Sequence, residues 1–83
     1  MRFIFADTGY WVALLNPGDN LHQKAIRLEQ TLHPVHIVTS EMVLTEVLND
    51  FSKRGEYLRD IVTDFIRSLR SHPNLTIVPQ TSQ

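Results

Sequence analysis

Arg2-Phe3-Ile4-Phe5-Ala6-Asp7-Thr8-Gly9-Tyr10 is the stretch that decides the reading of this chain. Residues 2–6 form a short, mostly apolar run of the kind that fills a buried strand. The acid Asp7 follows at once, and the apolar run Tyr10-Trp11-Val12-Ala13-Leu14-Leu15 reads as a helix. Asp7 therefore sits where a strand hands over to a helix. In an open α/β sheet the carboxyl edge of the strands is where ligands bind. A carboxylate there, beside the unpaired N–H groups of a helix start, suits a metal or a phosphate site. The plainer role for Asp7 is to cap the helix.

Outward from this point the chain alternates. The hydroxyl of Thr8 is expected to cap helix one, and Asn16-Pro17-Gly18 breaks it. Asp19 or Asn20 starts helix two, whose stripe is Leu21, Ala25, Leu28 and Leu32, and Pro34 ends it. Val35-His36-Ile37-Val38-Thr39 is β-branched and reads as strand two. Ser40 caps a third helix over about 41–54, with the stripe Val43, Leu44, Val47, Leu48 and Phe51, closing at Gly55. A fourth helix over about 56–71 carries Leu58, Ile61, Val62, Phe65, Ile66 and Leu69. Leu75-Thr76-Ile77-Val78 is strand three, and the polar tail 80–83 follows Pro79. The order β-α-α-β-α-α-β has crossovers long enough for parallel pairing. One α/β domain over residues 1–83 is expected, with a short three-stranded parallel sheet flanked by about four helices.

Composition narrows the function. With 83 residues and 42% apolar content the chain holds one modest core. A net charge of −1 argues against a strongly basic nucleic-acid clamp and leaves room for a metal-mediated contact. No cysteine is present, so there is no thiolate metal site and no disulfide. No membrane span and no signal peptide are read, and a cytoplasmic location is the expectation. His22, His33, His36 and His72 show no ligand spacing on one helix face.

The second acid of interest is Glu46, at the border of the helix-three stripe, with Asp50 one turn on. Carboxylates converging at the sheet edge repel each other unless a divalent cation sits between them. Asp7-Thr8 after an apolar strand, then Asn16, Asp19, His22 and Ala25, then Val38-Thr39-Ser40 and Leu44-Thr45-Glu46-Val47-Leu48, resembles the N-terminal portion of a PIN domain, the nuclease fold of VapC-type toxins. The resemblance implies a three-layer PIN-like fold, here truncated, and a metal-dependent endoribonuclease. Asp7 matches the family's first acid and Glu46 its second, both catalytic and metal-binding, with Thr8 as the supporting hydroxyl. It also implies Mg²⁺ or Mn²⁺, an RNA substrate and an antitoxin partner. The family's remaining acids lie further along, and no Asp or Glu follows Asp64 in this sequence, so the acidic site is incomplete and metal binding is expected to be weak. The alternative is a non-catalytic interaction module that binds an antitoxin-like segment or itself. Strand one, apolar on both faces, reads as a central strand rather than an edge. A homodimer or higher homo-oligomer, with residues 3–11 in or near its interface, is the expected cover.

Overall fold

The computed structural model describes residues 2–31 and 35–79. Its elements are β1 (Arg2–Phe5), α1 (Thr8–Leu15), α2 (His22–Thr31), β2 (Val35–Ser40), α3 (Glu41–Ser52), α4 (Glu56–Leu69) and β3 (Leu75–Val78). The strands form one parallel sheet in the order β1-β2-β3, with β2 in the middle. Ile4 lies opposite Ile37, and Thr39 opposite Ile77. The α/β architecture expected from the sequence is the one observed. No helix among the described residues is long and apolar enough to cross a membrane.

The ends of the elements differ from the expected ones for local reasons. Asp7, not Thr8, is the N-cap of α1, its side chain accepting the Tyr10 N–H at 3.0 Å. Thr8 is the first helical residue. A cap residue needs extended backbone and a side-chain oxygen that reaches the N–H three residues on, and Asp7 supplies both. Asp19, expected to start α2, instead makes a turn ahead of it: its carboxylate accepts the Leu21 N–H at 2.9 Å, two residues on, and the helix begins only at His22. The expected end of that helix, Leu32 with Pro34, lies outside the described residues. Ser40 caps α3 as expected, accepting the Val43 N–H at 3.1 Å. That helix ends two residues early, at Ser52, and Gly55 turns the chain at φ +105° into α4. Only glycine adopts that backbone without strain. The α4 helix stops at Leu69 because the next three N–H groups, of Arg70, Ser71 and His72, reach back three residues rather than four. Such tightening is how many α-helices end.

The core lies on one face of the sheet. Ala6, Trp11, Val43, Leu44, Val47, Phe51, Val62, Ile66 and Leu69 are buried together, with Ile37, Leu75 and Ile77 packed against them. The α3 stripe is buried as read, and Leu48 packs partly against the cluster. On α4, Val62, Ile66 and Leu69 are buried, Leu58 and Phe65 are half-buried, and Ile61 is exposed. The Phe65 ring meets Trp11 edge-on, 5.8 Å between centroids. Glu41, in the first turn of α3, takes a two-pronged ion pair from Arg70 beyond α4, at 2.8 and 2.9 Å. That contact holds the Glu41 carboxyl below its ordinary pKa.

The other sheet face is bare. Phe3 and Phe5 are 70% and 60% exposed and Val78 44%, and none of them joins the core cluster. The α2 stripe departs from expectation in the same way: of its described members Ala25 is buried, while Leu21 and Leu28 are exposed.

Phe51 is 1% exposed, so Phe51→Ala removes a fully packed ring. It is expected to cost about 3–5 kcal/mol, against a distinctly smaller loss for half-buried Phe65→Ala. Urea unfolding of the two variants checks the order. Equal midpoints would contradict the packing described here.

Candidate functional site

The site begins with a buried run of hydrogen bonds. The Trp11 indole Nε1–H donates to Thr39 Oγ1 at 3.1 Å, and the Thr39 hydroxyl donates onward to the Ala6 carbonyl at 2.8 Å. The Ala6 N–H in turn donates to the Val38 carbonyl at 2.8 Å. Thr39 is 0% exposed, and Ala6 and Trp11 are each 2% exposed. Three elements are thereby tied at one point: the end of β1, the end of β2 and the first turns of α1. Ala6 cannot shift without breaking bonds that have no water to replace them.

Asp7 is the next residue, and it is exposed. Its Oδ1 accepts the Tyr10 N–H and its own carbonyl accepts the Trp11 N–H at 3.3 Å. Of the two expected roles, the cap is the one these bonds make. An ionised carboxylate has about four acceptor sites, and the cap takes one. Asp7 stands at the carboxyl edge of the sheet, fixed from behind by the buried bonds. Thr8 is beside it at the first position of α1.

Glu46 lies on the exposed side of α3, next to buried Val47. The α1 and α3 helices meet through Trp11 on one side and Val43, Leu44 and Val47 on the other. Asp50 is engaged elsewhere: Arg54 donates to it at 3.1 Å along the same helix. Asp64 likewise pairs with Arg67 at 3.2 Å. Among the described residues no three His, Asp or Glu side chains come together as a metal-ligand group. Asp7, Glu46 and Asp50 therefore do not converge as a trio. A set of one or two hard oxygen donors still suits Mg²⁺, which commonly takes one or two protein carboxylates and completes its shell with water and phosphate.

Two features escaped the sequence. The first is the Trp11–Thr39 bond, made by residues 28 apart that look like ordinary core positions. The second is a groove of about 380 Å³ beside Asp7, lined by Tyr10 and Ala13 from α1 and by Leu21, Lys24 and Leu28 from the α2 side. The exposed α2 stripe is its wall. His22 steadies that wall, its Nδ1–H donating to the Ala13 carbonyl at 2.7 Å.

Comparison with known proteins places this fold. No family model matches the chain, and no curated protein matches it. Among solved structures it is similar to VapC20 of Mycobacterium tuberculosis, a sarcin-ricin loop cleaving toxin, at TM-score 0.77 and 30% identity. The match covers 95% of this chain and 58% of that one. Over the length it spans, the chain has a VapC-like PIN fold, as its sequence resemblance implied. It spans less than two thirds of the toxin's length.

Capping and ligation by Asp7 are separable by substitution. Asn caps a helix as well as Asp does, so Asp7→Asn is expected to hold the urea midpoint near that of the parent chain. Asp7→Ala is expected to lose about 1 kcal/mol. A comparable loss in both variants would show that the negative charge itself, and not the cap, stabilises the fold.

Proposed function

We propose that this chain carries the first half of a PIN-type ribonuclease centre, in which Asp7 and Glu46 hold a divalent cation and RNA is the substrate. The observation that supports this is the placement of Asp7 at the carboxyl edge, anchored by the Ala6–Thr39–Trp11 bonds, in a fold similar to that of an RNA-cleaving toxin. Asp7 is the fixed ligand and Glu46, on a packed neighbouring helix, is the second. The Thr8 hydroxyl is a donor beside them for bound water or a phosphate oxygen. Mg²⁺ or Mn²⁺, when bound, supplies charge neutralisation on the scissile phosphate and a polarised water. With only two candidate carboxylates, cation binding is weak and hydrolysis by the chain alone slow. The setting is the cytoplasm.

A second reading, an interaction module that does not cleave RNA, is favoured by the groove beside Asp7. Its apolar wall of Leu21, Ala25 and Leu28 fits the apolar stripe of a partner helix, as an antitoxin-type segment would present. The bare β1 face and edge favour self-association as well, and a dimer through residues 3–11 would cover them. Light scattering on a size-exclusion column is expected to give a mass above that of the 9.6 kDa chain. A stable monomer at tens of micromolar would contradict that part of the proposal.

The cation site has its own test. Titration with Mn²⁺ is expected to broaden the amide signals of Asp7, Thr8 and Glu46 before others, and Mg²⁺ to compete. Asp7→Asn and Glu46→Gln should each remove the effect. Broadening centred elsewhere, or unchanged in both variants, would overturn the assignment and leave the module reading.

A further inference from the structure

On the core side of the sheet, across Tyr10 from the groove at Asp7, lies a second and more enclosed cavity of about 90 Å³. Its floor is apolar: Ile4 on β1 and Val35 and Ile37 on β2, which the strand register sets on one face. Its rim is polar and comes from three other elements: Tyr10 of α1, Glu29 of α2 and His72 in the turn before β3. We infer that this cavity binds a short alkylammonium group, its carbon stem on the isoleucine floor and its charged head at Glu29.

Size sets the stem. A dry cavity of about 150 Å³ in another protein holds one benzene. The space here is smaller and open at its polar rim, so it takes a short apolar stem whose end remains at the mouth. Charge sets the head. Of the rim groups, His72 is engaged at Nδ1, which accepts the Asn74 N–H at 3.1 Å. Tyr10 stays protonated, because burial and then the Glu29 charge both raise its pKa. Among the described lining residues Glu29 is the one carboxylate, and none is lysine or arginine. It repels an anion and favours a cation, while the phenol and imidazole offer further polar partners. An apolar stem of about four carbons ending in an ammonium is the chemistry of a lysine side chain and of small aliphatic amines. The long stem lies on apolar surface while the head stays at the wet mouth. Nothing in this reading depends on the cation site, so the two fail separately.

The test is a titration of the ¹⁵N-labelled chain with four probes: n-butylammonium, n-butanol, butyrate and Nα-acetyl-lysine methylamide. n-Butylammonium is expected to shift the Ile4, Tyr10 and Ile37 signals, with n-butanol about tenfold weaker and butyrate weaker again. Glu29→Gln, a change on the exposed side of α2, should keep the parent spectrum and erase the ammonium's advantage over butanol. Shifts with the capped lysine as well would mark a side chain of another protein as the occupant. Shifts with the free amine alone would mark a small amine, and both outcomes support the site. The inference is overturned if n-butylammonium binds no better than n-butanol, if Glu29→Gln leaves its binding unchanged, or if no probe shifts these signals.

Discussion

The buried hydroxyl of Thr39 is the point on which the rest of the structure turns. A strand that ends against a helix leaves its last carbonyl without a ladder partner. Here that carbonyl belongs to Ala6, and Thr39 satisfies it while accepting from Trp11. A buried polar group left unpaired costs about 1–3 kcal/mol, so each member of the run holds the others in place. The bonds run across β1, β2 and α1, elements brought together only by the parallel crossover. They set the direction in which the chain leaves β1. Asp7 is the first residue past that constraint, and it emerges at the carboxyl edge with its cap bond already made. Rigidity behind a ligand is what a binding centre needs, because a carboxylate on a frayed strand end would have to be ordered at each binding event.

Much of this could be read from residues alone. The β-branched run at 35–39, the Ser40 cap and the α3 and α4 stripes each follow a single period, and the structure carries them. Asp7 could be located because an acid at a strand-to-helix change has few places to go. What stayed hidden depends on contacts far apart in sequence. Thr39 looks like one more β-branched strand residue, and nothing adjacent marks its hydroxyl as a partner for Trp11. The stripe Leu21, Ala25, Leu28 obeys the helical period yet is mostly wet, because period reports a face and not what lies against it. The exposure of Phe3 and Phe5 follows the same rule.

The open surfaces and Asp7 lie close together in the fold. Parallel sheets are stable with both faces covered, and this one covers the side facing α1, α3 and α4. The exposed Phe3 and Phe5 and the exposed Asp7 lie within five residues of one another. Whatever covers the open β1 face sits on the strand that leads into Asp7. Under the proposed function, partner binding there and cation binding at Asp7 would be neighbouring events. The groove beside Asp7 adds that a ligand lying along α1 and α2 would approach the same carboxylate.

The account stands or falls on whether Trp11, Thr39 and Ala6 act as one unit. A double-mutant cycle with Trp11→Phe and Thr39→Val, read by urea unfolding, measures this directly. Both variants keep most of the side-chain volume at their positions, and Thr39→Val removes the shared hydroxyl. The account predicts that the two losses overlap, with an interaction energy of about 0.5–3 kcal/mol. Losses that add within about 0.3–0.5 kcal/mol, as for independent sites, would contradict it.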